Sequence, residues 1–216
     1  MNIKPIETVY NGYRFRSRLE ARWAVFFDAA GIKYEYEPEG FELPDGTKYL
    51  PDFYLPEQSK FFECKGIMTD KDENKIKQFL KMLSKHYGPS EERDRDEMVI
   101  GFPDMSFQTA WWSFDIEYDN KGNPIRYDHE NGKVVYCDES WLCRCYNCGK
   151  LFFMNSWLGW ACRCCGYYNG DSGFEIEAKG YRDRYTATYE TYRPFIIARQ
   201  ARFEHGEKPN VRSVSV

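Results

Sequence analysis

Seven of the eight cysteines in this 216-residue chain lie between positions 137 and 165, and four of them form two short repeats, CYNCG at 145–149 and CRCCG at 162–166. Each repeat is Cys-x-x-Cys followed by glycine, which permits the tight turn in which backbone amides face sulfur. Two such turns separated by thirteen residues (149–161) can bring Cys145, Cys148, Cys162 and Cys165 into a tetrahedral thiolate shell. Four thiolates leave no position for water, so a Zn²⁺ ion held there is structural. Cys143 and Cys164 are spares, either of which could replace a neighbouring ligand; disulfides or an iron–sulfur cluster are the other uses of these thiols. The aromatic stretch KLFFMNSWLGWA between the repeats can stack on bases or cover the metal.

Composition narrows the class. With 42 % hydrophobic and 18 % aromatic residues the chain is too apolar to be disordered, although 30 % of it is charged. The net charge of −4 excludes a broadly basic nucleic-acid binder, so any basic surface must be local. The N-terminal MNIKPIETVYNGYRFRS lacks a secretory apolar core, and no apolar run reaches the roughly 18 residues of a membrane span. The expectation is a soluble, cytoplasmic protein with no membrane partner, in a reducing compartment that favours metal binding or free thiols over disulfides.

Periodicity organises the first half. Residues 17–30, SRLEARWAVFFDAA, carry Leu19, Trp23, Phe26 and Ala30 at helical spacing and stop at Gly31. Three β-rich segments follow, IKYEYEPEGFEL, TKYLPDFYL and KFFECKGI, read as consecutive antiparallel strands. A second helix fits residues 70–87, with Ile76, Phe79, Leu80 and Leu83 as its buried stripe, and MVIGF is a further strand after a polar loop. The pattern is αβββαβ over residues 1–105. Residues 106–178 read as a β meander leading into the cysteine turns, and 179–216 as a segment helical after Pro194 with a mobile tail.

Within the hairpin PDFYLPEQSKFFECK, a four-residue loop at 56–59 pairs Leu55 with Lys60 and therefore sets Asp52 opposite Glu63. Directly opposed carboxylates repel one another, and a divalent cation between them removes the conflict. Strand alternation puts Lys65 on the same face, while Phe53, Leu55, Phe62 and Cys64 point to the other. Hard oxygen ligands suit Mg²⁺ or Mn²⁺, and such a cation can activate water at a phosphodiester. Arg14, Arg16, Arg18 and Arg22, in RFRSRLEAR, are candidates for phosphate contacts, although a solvated helix face has the same composition.

Pro51-Asp52 followed by Glu63-Cys64-Lys65 resembles the PD-(D/E)XK nuclease superfamily over roughly the first half of the chain. That family has a restriction-endonuclease-like αβββαβ core. The resemblance implies Asp52, Glu63 and the Cys64 backbone carbonyl as ligands of a catalytic Mg²⁺, Glu20 as an outer ligand, and Lys65 as catalytic. Ser17-Arg18-Leu19-Glu20 is also a capping box, in which Glu20 returns to the helix N-terminus. The cysteine turns resemble zinc ribbons. Together these imply a Mg²⁺-dependent DNA endonuclease with a C-terminal β-rich zinc ribbon and terminal helix, similar to small nucleases of phages and mobile elements and dimeric if it cuts both strands. A non-cleaving nucleic-acid- or protein-binding module, or a nuclease acting on RNA or branched DNA, is the alternative.

Overall fold

The first helix, α1 (Arg18–Ala30), is bounded by sequence signals at both ends. Ser17 caps its N-terminus in an extended conformation, its hydroxyl accepting from the Glu20 amide, and Gly31 ends it in the left-handed region at φ 67°. The computed structural model describes residues 5–87, 98–103, 105, 108–114, 134–145, 147–155, 162–167, 189–203 and 209. The protein is of mixed α/β class.

Before α1 runs a hairpin, β1 (Thr8–Tyr10) and β2 (Tyr13–Phe15), absent from the sequence reading. Asn11 and Gly12 turn it, both at positive φ (47° and 85°), which is the turn geometry that Asn-Gly favours between paired strands. After α1 come β3 (Glu35–Tyr36), β4 (Phe41–Glu42), β5 (Lys48–Tyr49), β6 (Phe53–Leu55), β7 (Lys60–Cys64), α2 (Asp70–Tyr87) and β8 (Met98–Gly101). Two of the three expected strands are thus broken: β3 pairs with β6, while β4 and β5 peel away as a separate pair. The second break falls at Leu50-Pro51, where proline lacks an N–H for a ladder and restrains the residue before it. Then follow β9 (Gln108–Phe114), β10 (Val134–Arg144), β11 (Leu151–Asn155) and α3 (Tyr189–Gln200). Strands β9 and β10 represent the expected meander, whose middle, residues 115–133, lies outside the described residues, as does the expected tail apart from position 209.

The main sheet has the order β11-β10-β9-β8-β7-β6-β3. Strands β7 and β8 are parallel, joined through α2, and the other neighbours are antiparallel. Alternation along β7 sends Phe61 to one face and Phe62 to the other. Phe62 joins Trp23, Phe26 and Phe27 of α1, Phe53 of β6 and Val99 of β8; Phe61 joins Ile76, Phe79, Leu80 and Leu83 of α2 with Met98 and Ile100. The sheet therefore lies between α1 and α2. Gly101 leaves no room for a side chain, since a Cβ there would stand 2.5 Å from atoms of Trp23 on α1 and Phe62 on β7.

The α1-side cluster continues through Leu142, Leu151 and Phe153 of β10 and β11 to Phe195, Ile197 and Ala198 of α3. Phe195 meets Phe26 at a ring-centroid distance of 4.5 Å. Helix α3 starts before Pro194 and includes it, a correction to the expected start after proline. A proline there forgoes one helical hydrogen bond, and the burial of Phe195, Ile197 and Ala198 supplies the compensating apolar contact. The hairpin turn between β6 and β7 is also tied to the second half: buried Gln58 accepts from the Phe153 amide (2.9 Å), and Glu57 pairs with Lys150 (2.9 Å) as well as Lys33 (2.8 Å). One hydrophobic cluster thus draws on residues from all three sequence segments. Phe195→Ala should cost about 3–5 kcal/mol in chemical denaturation, with hydrogen-exchange protection falling in α1 and β7 as well as in α3.

Candidate active site

Strands β6 and β7 pair with Phe53 opposite Phe62, Tyr54 opposite Phe61 and Leu55 opposite Lys60. This is the register that the four-residue loop requires, and its next pair is Asp52 with Glu63. The Asp52 amide donates to Glu63 Oε2 (3.3 Å), and the Cys64 amide donates to Asp52 Oδ2 (2.7 Å). The backbone thus locks each carboxylate to the opposite strand. Tyr49, buried on β5, donates its phenol to Glu63 Oε2 (2.9 Å). Burial first, then the Glu63 and Glu20 charges, pushes the Asp52 carboxyl well above the usual range. Burial and the Glu63 charge likewise raise the Tyr49 phenol. Two acids held together with too little positive charge are a fitting place for a hard divalent cation. Of Cys64, the amide touches this pair while the side chain packs on the α1-side core.

Lys65 extends from the end of β7 to the same face. Its ammonium is 2.8 Å from Glu63 Oε1 and 3.2 Å from Asp72 Oδ1. Burial opposes its charge, but Glu63 and Asp72 outweigh that and the lysine value moves upward. Asp72 belongs to the first turn of α2, where Thr69 donates to Asp72 Oδ2 through its hydroxyl (2.5 Å) and amide (3.3 Å), and the Asp72 amide donates back to Thr69 Oγ1 (3.2 Å). This is a reciprocal cap.

Glu20 is buried at the first turn of α1. It accepts from the Ser17 hydroxyl (2.6 Å), the Arg16 amide (3.0 Å) and the Tyr36 phenol (2.6 Å). The capping role is therefore present, and the Glu20 charge still reaches Asp52. The arginines are arranged differently: Arg14 pairs with Glu7, Arg16 with Glu37 (2.7 Å), and Arg18 also has an interaction within the chain. Arg22 is half-buried, with an Nε that has no hydrogen-bond partner among the described residues. Exposed pairs such as Arg14–Glu7 are weak and exchange readily with other anions. Tyr49, Tyr36 and Asp72 were missed by sequence reasoning. Only Asp72 had a legible signal, the Thr-x-x-Asp spacing before the apolar stripe of α2.

The four knuckle sulfurs, of Cys145, Cys148, Cys162 and Cys165, lie within 4.8 Å of one another. Cys145 and Cys165 sulfurs are 3.7 Å apart and those of Cys148 and Cys162 are 3.8 Å apart; a tetrahedron of sulfurs about 2.3 Å from zinc has edges of about 3.8 Å. The two turns repeat one another in detail. Gly149 and Gly166 have φ of 70° and donate to the carbonyls of Cys145 (2.7 Å) and Cys162 (2.8 Å), whose own amides donate to Lys150 (3.0 Å) and Tyr167 (2.8 Å). Hydrogen bonds from the Tyr167 backbone and Asn147 pull the Cys165 thiol down to about 7, towards the thiolate that a metal binds. Cys143, buried opposite Phe152, and Cys164, whose amide donates to Cys162 Sγ (3.4 Å), stand outside the four. These sulfurs are placed to hold a tetrahedral metal ion such as zinc.

No protein-family model matches the chain, and no curated protein matches it. Among the described residues no helix is long and apolar enough to cross a membrane.

Denatured protein should release about one zinc per chain in a colorimetric assay, and Cys145→Ser or Cys162→Ser should lower both that yield and the melting temperature. At the acid pair, the raised Asp52 value means that the folded state binds more protons than the unfolded one between the ordinary aspartate pKa of about 3.9 and the raised value. The contribution of this group to stability accordingly falls as pH rises through that window. In buffer free of Mg²⁺ and Ca²⁺, Asp52→Asn should be more stable than the parent at neutral pH by about 1 kcal/mol. The advantage should shrink towards pH ~4 in urea titrations.

Proposed function

We propose that this protein is a divalent-cation-dependent endonuclease that hydrolyses DNA phosphodiester bonds, built on a PD-(D/E)XK-like core with a zinc ribbon. One observation carries the reading: Asp52 and Glu63 face each other across a hairpin and Lys65 joins them on the same face, 2.8 Å from Glu63. The surroundings support it. A helix precedes the hairpin and contributes Glu20, a second helix follows it, and β8 returns parallel to β7.

The residues divide the task. Asp52 and Glu63, with the Cys64 carbonyl as a further ligand, would hold Mg²⁺ or Mn²⁺, and Glu20 would act from the outer edge. A cation bound there supplies positive charge that draws electrons from the phosphorus and makes water a better nucleophile. In hydrolysis the water oxygen bonds to phosphorus, one ester P–O bond breaks, and the proton lost by water ends on the departing alkoxide. Lys65, as an ammonium, stabilises negative charge on the phosphate oxygens and orients the attacking water. Tyr49 holds Glu63 in place. The zinc knuckles support the site from behind, through Lys150 on Glu57 and Phe153 on Gln58 at the turn of the hairpin.

The direct test is incubation of the purified protein with plasmid, single-stranded DNA, a four-way junction and RNA, with Mg²⁺, with Mn²⁺ or with neither. Cleavage of DNA should require the cation. Lys65→Ala should slow it by roughly two or more orders of magnitude while Ca²⁺-supported DNA binding survives, and Asp52→Asn should lose both cleavage and cation binding. Cleavage of RNA or the junction alone would reassign the substrate. Equal cutting by parent, Asp52→Asn and Lys65→Ala would remove these residues from the chemistry, and binding without cutting would make the protein a recognition module.

A further inference from the structure

Both oxygens of Glu63 already have partners. Its Oε2 takes the Tyr49 phenol and the Asp52 amide, and its Oε1 takes the Lys65 ammonium. A cation that joins Glu63 at Oε1 sets a second positive charge against the Lys65 ammonium, and like charges repel. Tyr49 is buried and its ring packs on Phe79 at 5.0 Å, so the phenol has little room to withdraw. Lys65 has a flexible stem and an exposed flank, with 20 % of its side chain accessible. Lysine is the partner that yields.

A displaced ammonium needs somewhere to go, and Asp72 Oδ1 is 3.2 Å away. The Asp72 carboxylate is not free to swing, because its Oδ2 is fixed by Thr69 at the start of α2. Its other oxygen therefore presents a standing anionic seat beside Glu63. We propose that Asp72 is the positioning residue that keeps the Lys65 ammonium at the site when Glu63 engages a divalent cation. Without it, the ion pair left to Lys65 is with Glu63, the same carboxylate that the cation engages. This rests on the nuclease reading for its catalytic consequence but not for its effect on cation binding.

The capping role of Asp72 makes the choice of variant important. Asparagine keeps a carbonyl that can accept from Thr69 and removes the charge that holds Lys65. The experiment is Ca²⁺ titration by calorimetry on full-length, zinc-loaded protein in four forms: parent, Asp72→Asn, Lys65→Ala and the double variant. Asp72→Asn should weaken Ca²⁺ binding about fivefold or more, and the same change in the Lys65→Ala background should alter it by less than about twofold. The melting temperature of Asp72→Asn should stay within about 2 °C of the parent. In Mg²⁺-supported cleavage, kcat should fall about tenfold or more with KM within about twofold, and Asp72→Glu should recover part of the rate.

Equal weakening of Ca²⁺ binding with and without Lys65 would overturn the proposal, because the aspartate would then act as one more diffuse charge. A large drop in melting temperature with unchanged Ca²⁺ affinity would overturn it too, leaving Asp72 as a cap alone. Should the parent bind Ca²⁺ yet cut no nucleic acid, hydrolysis fails as the function while the calcium cycle still decides the role of Asp72. A parent that binds no Ca²⁺ overturns both.

Discussion

The pairing of β6 with β7 is the constraint on which the rest of the structure depends. Phe53 opposite Phe62 delivers two aromatic rings to the α1 side of the sheet, and the same register delivers Asp52 opposite Glu63 to the other side. A slip of one residue would turn every side chain of the strand over, placing acids among Trp23 and Phe27 and rings beside Tyr49 and Lys65. Hydrophobic burial therefore enforces a like-charge encounter that neither carboxylate would choose alone. The aromatic contacts on one face are large enough to sustain electrostatic strain on the other, since each buried ring contributes on the order of 2–3 kcal/mol.

Both helices that flank the hairpin begin in the same manner. Ser17 with Glu20 and Thr69 with Asp72 are reciprocal caps whose acids also meet side chains of the site, Tyr36 in one case and Lys65 in the other. The dual use has a physical rationale. A carboxylate near a helix N-terminus is favoured by the helix dipole and oriented by amide donors, so its position is set by the chain itself. Such an acid is a rigid fixture rather than a mobile arm.

Much of this arrangement was legible in the chain. Helix α1 could be placed because Ser17 and Gly31 mark its ends, and the acid pair because a four-residue loop leaves one arithmetic for the register. The cysteine turns could be read because thiolate geometry is strict and local. The unread parts have a different character. Tyr49 reaches Glu63 from a strand pair outside the main sheet, a contact between residues fourteen apart that no periodicity encodes. The Asn11-Gly12 turn is a local hairpin signal, one that the sequence reading above does not use. Local propensity favours a helix that starts at Pro194, whereas α3 begins at Tyr189 and runs through the proline, with Phe195 packed on Phe26. Tertiary contact overrode local preference there.

Gln58 bears on how this protein could be divided. Its side-chain carbonyl is buried at the hairpin turn and satisfied by a backbone amide ninety-five residues further along the chain. Excising residues 1–105 as a minimal unit would strip that donor away and uncover Phe26 and Phe62, whose rings contact Phe153. The fragment would exchange that buried hydrogen bond for one to water and expose apolar rings beside the strand pair that aligns its acids. Any shortened form must recover the lost apolar cover by other means; the first half of the chain is modular in its motif and not in its material.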